Sequence, residues 1–240
     1  MQNAAFAAAG LDWVYALLDI PPDQLPEAIR KLRAEDFGGA NVTIPHKLAV
    51  IDHLDVIDPE ALRARAVNTI SREGHRLVGS NTDVAGVRAA IDQVGVEPRG
   101  ADVLILGAGG AARAAAAALE GAHLTFVTRH PEAADVPGHV IAWTDPAWSR
   151  KARAADLLLN ATPLGRRDEM PLRPNALPRD GAVIDLVYVT GGTPLVRKAR
   201  SLGLRTADGW GILLAQGARS FEIWTGRPAP VEAMRQTLPQ

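Results

Sequence analysis

Apolar positions along this chain change their spacing several times, and each change marks an element. Asp12–Ile20 reads as a strand. Pro21–Pro22 then opens a helix, since proline fits a first helical turn, and Leu25, Ile29 and Leu32 follow at helical spacing. Gly38–Ile44 reads as a strand that ends at Pro45. Val67–Arg72 and His75–Gly79 flank Glu73-Gly74, which predicts a hairpin. Asp83–Val94 reads as a helix closed by Gly95. After Pro98–Gly100 the run Asp102–Leu106 is almost wholly apolar, as a parallel strand buried on both faces requires. A glycine-rich turn and an alanine-rich helix follow. Further strands are predicted over His123–Val127, His139–Trp143, Asp156–Asn160, Gly181–Leu186 and Leu204–Ala207. Gly211–Trp224 returns to helical spacing, with Leu214, Ala218, Phe221 and Trp224 on one face. Strands alternating with helices predict an α/β fold with a doubly wound sheet.

Composition narrows the classes. A chain of 240 residues holds one large domain or two modest ones. With 47% hydrophobic and 22% charged residues it can bury a core. A net charge of -1 and no basic block predict no nucleic-acid partner. The absence of cysteine excludes disulfides, thiolate metal sites and a cysteine nucleophile. No apolar run is long enough for a membrane span, and the N-terminus lacks a basic-then-apolar signal pattern. The expectation is a cytoplasmic protein with no membrane partner.

The segment Leu106-Gly107-Ala108-Gly109-Gly110-Ala111-Ala112 contains G-x-G-x-x-A. The pattern alone is weak, but here it follows an apolar strand and opens a helix. Gly107 permits the tight turn, Gly109 lets the backbone approach a pyrophosphate, and Ala112 lets helix and strand pack closely. The helix start offers unpaired N–H groups and a positive dipole end. NAD-binding units place a carboxylate at the end of the next strand; here that strand ends in Thr128-Arg129-His130, with none until Glu132. Arg129 can pair with a 2′-phosphate, which favours NADP over NAD, although a solvated loop cation reads the same way.

Three polar clusters precede the glycine turn: Asn41 to Lys47, Val67-Asn68-Thr69, and Gly79 to Asp83. Thr43, Asn68 and Asp83 suit the hydroxyls of a polyol. Lys47 suits a carbonyl or alcohol oxygen that exchanges a proton during hydride transfer, with Asp83 orienting it. Each has a plainer reading. Asn41, Asn68 and Asp83 are ordinary turn or N-cap residues, and a lone lysine is usually solvated.

Taken together, G-x-N-V-T-I-P-H-K, A-V-N-T and N-T-D, followed by G-A-G-G-A-A-R, resemble the shikimate dehydrogenase family. Asn160-Ala161-Thr162-Pro163-Leu164-Gly165 is similar to that family's N-A-T-x-x-G loop beside the nicotinamide. Asp185-Leu186-Val187-Tyr188, Thr193-Pro194-Leu195 and the stretch from Asp208 to Gly226 extend the likeness almost end to end. The resemblance implies a substrate-binding domain of residues 1–83 plus 213–240 and a Rossmann NADP-binding domain of residues 84–212. It makes Lys47 and Asp83 the catalytic pair and Thr43, Asn68, Tyr188 and Gln216 substrate ligands. It assigns Gly107, Ala108, Gly109, Gly110, Ala111, Arg129, Thr162 and Gly209 to the cofactor. The implied reaction is reversible NADPH-dependent reduction of 3-dehydroshikimate to shikimate, in a monomer or homodimer.

Some positions depart from the family pattern. The family opens with a strand and a Ser-x-Ser turn that binds the substrate carboxylate, whereas Met1 to Phe6 resembles the helix after that turn. Either the chain starts at an internal methionine of a longer protein or it is truly short, and a short form is expected to bind substrate poorly. Thr128 stands where Asn is usual, Val189–Gly192 is glycine-rich where Asn-Pro is common, and Ile212 replaces a frequent methionine. Two alternatives therefore stand beside the leading reading: a quinate/shikimate dehydrogenase with relaxed cofactor use, and an NADP-binding protein with impaired catalysis.

Overall fold

The computed structural model describes residues 1–239. These divide into two compact units, one of residues 1–85 and 214–239, the other of residues 86–213.

The first unit holds a four-stranded sheet of β1 (Gly39–Asn41), β2 (Val56–Ile57), β3 (Thr69–Glu73) and β4 (Arg76–Ser80), ordered β1-β3-β4-β2. β3 and β4 form the predicted hairpin, with Glu73 opposite Arg76. Gly74 takes φ +62 at the first turn position, where a type II′ turn calls for glycine. Helix α1 (Gln2–Ala8) precedes the sheet; α2 (Leu25–Lys31) follows a 3-10 turn at Pro22–Gln24. α3 (Pro59–Ala64) is capped by Asp58, whose carboxylate accepts the Ala61 N–H at 2.6 Å. Leu25, Ile29 and Leu32 bury against Val50, Ile70 and Leu77. A second cluster joins Phe6 to Leu214, Phe221 and Met234, which come from α8 (Gly209–Thr225) and α9 (Val231–Arg235). α8 lies close on the sheet, because the Trp224 indole donates to the Ile70 carbonyl at 2.9 Å. A Cβ at Gly39 would run into both groups, so this position needs glycine.

The predicted strand over Asp12–Ile20 does not form, and Leu11–Pro21 has no regular structure. An isolated strand leaves its backbone groups unpaired, and no described strand pairs with this segment. Instead Tyr15 is tied by its own N–H and carbonyl to the Asn3 side chain, at 2.6 and 3.0 Å. Leu11 and Tyr15 of this segment pack against the Phe6 cluster, but three of its apolar residues stay outside: Val14 is 84% exposed, Leu17 91% and Leu18 69%. The strand expected over Gly38–Ile44 shortens to Gly39–Asn41.

The second unit is a six-stranded parallel sheet. Its strands are β5 (Asp102–Leu106), β6 (His123–Thr128), β7 (His139–Ala142), β8 (Leu157–Asn160), β9 (Ala182–Asp185) and β10 (Arg205–Ala207). The order is β10-β9-β8-β5-β6-β7, with every pairing parallel. This is the doubly wound order of a Rossmann unit, and the strand order reverses between β5 and β8, which run parallel. Val103–Leu106 and all of β8 are buried, as strands covered on both faces must be. The crossovers carry α5 (Gly110–Ala118), α6 (Ala147–Ala154) and α7 (Pro194–Ser201), while α4 (Thr82–Val94) leads in from the first unit. Ala112, Ala114, Ala115 and Ala118 of α5 are buried, and their small side chains let the helix approach the sheet.

Candidate active site

In the first unit the polar residues at the strand ends converge. Lys47 lies in the turn after β1, and its carbonyl is clipped to the Val67 N–H at 2.8 Å. Its Nζ donates to Asp83 Oδ2 at 2.6 Å. Asp83 sits in the first turn of α4, where the helix dipole favours a carboxylate. Its other oxygen, Oδ1, accepts the Asn68 Nδ2 at 2.8 Å. Asn68 Oδ1 in turn accepts the Thr82 N–H at 2.7 Å and the Thr69 hydroxyl at 3.0 Å. The Asn68 amide is therefore fixed in one orientation, nitrogen toward Asp83. The Lys47 and Asp83 side chains are 24% and 25% exposed, so a small molecule can reach the ammonium, which keeps N–H groups beyond the one given to Asp83.

A buried layer backs this pair. The Ser220 hydroxyl lies 3.0 Å from both the Thr69 and Thr82 hydroxyls. Asn41 Nδ2 donates to Thr69 Oγ1 at 3.0 Å and to Ser220 Oγ at 3.1 Å, and its Oδ1 accepts the Tyr15 hydroxyl at 3.1 Å. Burial pushes the Tyr15 phenol above its usual range. Gln216 stands one helical turn before Ser220 and accepts from Thr82 Oγ1 at 3.4 Å. Sequence reasoning passed over Tyr15 and Ser220, left Thr69 and Thr82 as members of polar clusters without a role of their own, and read Asn41 only as a turn or N-cap residue. For Ser220 one signal existed: a hydroxyl four residues after Gln216, on the same helical face. Thr43 stands apart from Lys47, Asn68, Asp83 and Gln216, since it is exposed and its side chain makes no hydrogen bond among the described residues.

In the second unit the turn after β5 is shaped by glycines. Gly107 takes φ +104, and a Cβ there would sit 3.1 Å from the Ala161 carbonyl oxygen. Gly109 caps α5 without a side-chain bond, and a Cβ there would meet nothing within 4 Å. Open space thus faces the unpaired N–H groups of a nine-residue helix, with Ala108, Gly110 and Ala111 around it at least partly exposed. The turn lies at the carboxyl ends of the parallel strands β5 and β8, where the strand order reverses, so it fits a dinucleotide's pyrophosphate. Arg129 is exposed just past β6 and makes no hydrogen bond or ion pair among the described residues.

Thr162 follows β8, and its N–H and hydroxyl both donate to Asn160 Oδ1, at 3.1 and 2.7 Å. Gly209 opens α8 against another loop: a Cβ there would lie 2.6 Å from Val187 C and 2.7 Å from Leu186 O and Tyr188 N. Close packing alone requires glycine at this position. Tyr188 is 46% exposed, with its ring centroid 5.1 Å from that of Trp210. The predicted site residues therefore fall into two sets. Lys47, Asn68, Asp83 and Gln216 share one network in the first unit, while Tyr188, Thr162, Gly209, Arg129 and the glycine turn belong to the second. No group of histidines and carboxylates among the described residues could hold a metal ion, and no helix there is long and apolar enough to cross a membrane.

Comparison with known proteins gives a consistent picture. Residues 1–70 match the model of the shikimate dehydrogenase substrate binding domain, and residues 209–238 that of the shikimate 5'-dehydrogenase C-terminal domain. The shikimate dehydrogenase (NADP(+)) of Moorella thermoacetica is 44% identical over 255 residues, which cover 99% of this chain and 86% of that protein. The shikimate 5-dehydrogenase of Thermus thermophilus, solved with NADP(H) and shikimate, aligns with a TM-score of 0.85 at 36% identity, covering 98% of this chain and 90% of that one. A ligand-free 5-ketofructose reductase of a Gluconobacter strain aligns almost as well, with a TM-score of 0.84 at 36% identity and the same coverage.

Proposed function

The chain belongs to the shikimate dehydrogenase family, and we propose on that premise that it is an NADP-dependent oxidoreductase that reversibly reduces 3-dehydroshikimate to shikimate in aromatic amino acid biosynthesis. The observation that carries the reading is the Lys47–Asp83–Asn68 chain, with links of 2.6 and 2.8 Å, at a partly open position. NADPH, when bound, supplies the hydride for the substrate carbonyl. Lys47 donates a proton to the oxygen that becomes an alcohol and takes it back in the reverse direction. Asp83 holds the Lys47 ammonium at one point, and Asn68 and Thr82 hold Asp83 and Asn68 in place behind it. Thr43, Asn68, Tyr188 and Gln216 bind the substrate's polar groups. The Gly107–Ala111 turn receives the pyrophosphate, Arg129 the 2′-phosphate, and Thr162 and Gly209 the rest of the cofactor site; the open space before α5 supports this. The first unit is then the substrate-binding domain and the second the NADP-binding domain. The same reading takes the protein as a cytoplasmic monomer or homodimer, without nucleic-acid or membrane partners.

The test is an assay of NADPH formation from NADP with shikimate, quinate or other polyols, and of NADPH consumption with 5-ketofructose. Saturable turnover of shikimate above the others is expected. Turnover of 5-ketofructose without shikimate oxidation would overturn the assignment.

A further inference from the structure

Asp185 ends β9 and is fully buried. A carboxylate taken out of water costs free energy unless its oxygens are well satisfied, and neutral residues fill such positions at lower cost. No cation forms an ion pair with it among the described residues; three uncharged donors hold it instead. The Thr193 hydroxyl donates to Oδ2 at 2.6 Å, while Asn160 Nδ2 and the Val187 N–H donate to Oδ1 at 2.9 and 3.0 Å. Burial pushes its carboxyl up to about 6, against which these three bonds act, and the nearby charge of Asp208 adds to the rise.

Each donor belongs to a segment that the proposed reaction uses. Asn160 pairs with Asp185 across β8 and β9, and its Oδ1 receives both donors of Thr162, while its Nδ2 also reaches the Leu164 carbonyl at 3.0 Å. Val187 directly precedes Tyr188. Thr193 caps α7 and closes the loop that carries Tyr188. Gly165 ends the Thr162 loop against the same pair: a Cβ there would lie 3.3 Å from Thr193 Cβ and 3.8 Å from Asp185 Oδ2. An ionised carboxylate only accepts, so it leaves these donors a single arrangement, whereas a neutral amide would also offer donors and a second orientation.

We infer that Asp185 is a positioning residue, a buried acceptor that fixes the Thr162 loop and the Tyr188 loop in one shared register. The inference rests on the cofactor and substrate roles proposed for Thr162 and Tyr188.

The test uses the full chain with Asp185→Asn, Thr193→Val and Thr193→Ser, reading the NADP dissociation constant directly, and KM and kcat with shikimate. One hydrogen bond to a charged group corresponds to about tenfold or more. Folded D185N should bind NADP about tenfold more weakly and raise KM. T193V should move the same way and T193S should stay with the parent. A merely structural role would lower the melting temperature and the active fraction while KM and the dissociation constant held. Parent-like NADP binding and KM in folded D185N would overturn the inference. If D185N does not fold, the Thr193 pair decides, and equal values for T193V and T193S would overturn it. Direct NADP binding keeps the test separate from the assigned substrate: a parent that ignores shikimate contradicts the function, whereas unchanged NADP affinity in the variants contradicts the role of Asp185.

Discussion

At the carboxyl ends of β5 and β8 the exposed chemistry is backbone: a glycine turn, an uncapped helix start and the space in front of it. At the ends of the first unit's strands it is side chain: an ammonium and a carboxylate, held by a buried amide and hydroxyls behind them. On the proposed function, the contrast follows from what each unit would have to recognise. A pyrophosphate is a diffuse anion that backbone N–H groups satisfy if nothing stands in the way, so the second unit must above all keep side chains out. A carbonyl that becomes an alcohol needs one proton at one place, so the first unit must hold a particular atom still. Damage should therefore divide along the same line, with changes in the first unit striking turnover and changes in the second striking nucleotide affinity.

The largest effect belongs to Lys47. Replacing it with alanine should cut kcat with shikimate by roughly 10²–10⁴, the usual range for a lost general acid–base group; steady-state kinetics on purified K47A checks this. Next comes Asp185, whose carboxyl sits near 6 in the folded chain against an ordinary 3.8. Its raised value means that the native state holds a proton the unfolded chain releases. The associated stability is fully present below about pH 4 and is lost as pH rises through about 6, by up to about 3 kcal/mol. Urea melts across that range should show this slope in the parent relative to D185N; parallel curves would remove the effect. Glu169, held below the usual carboxylate range by backbone N–H groups of Arg167 and Gly165, acts in the opposite direction at lower pH, which is why the difference between the two proteins is the quantity to follow.

Arg129→Ala should remove about 1.5–3 kcal/mol of NADP affinity and leave NAD affinity nearly as it was. Calorimetric titration with both nucleotides reads this directly, and equal losses for the two would show that Arg129 does not meet the 2′-phosphate. The smallest effect is expected for Ser220→Ala. The Thr69 and Thr82 hydroxyls, 3.1 Å apart, can still pair with each other, so the loss should be about 1 kcal/mol of stability. Thermal melts test it, and a loss several times larger would mean that Ser220 organises the whole layer.

How much of this was legible in the sequence depended on whether the deciding partner was near in the chain. Asp102–Leu106 forms as predicted because four successive apolar residues, Val103–Leu106, buried on both faces leave a mark that needs no knowledge of neighbours. The hairpin at Gly74 and the glycine turn at Gly107 are equally local. Asp12–Ile20 failed because a strand pattern says nothing about whether another strand is there to pair with it. The candidate site shows the same limit. Lys47, Asn68 and Asp83 could be picked out as polar clusters at element ends, but Ser220 joins them through Thr69 and Thr82, 151 and 138 residues away. Asp185 looked like an ordinary strand end inside a motif: Val187 and Thr193 are near it in the chain, but its burial and its Asn160 donor depend on the pairing of β8 with β9.

The division between proton and nucleotide is tested most directly by the NADP dissociation constant of K47A, measured beside its turnover. It should stay within about twofold of the parent, under half a kcal/mol, while turnover collapses. NADP affinity that falls in proportion to turnover would contradict the account, for it would make Lys47 part of the nucleotide site.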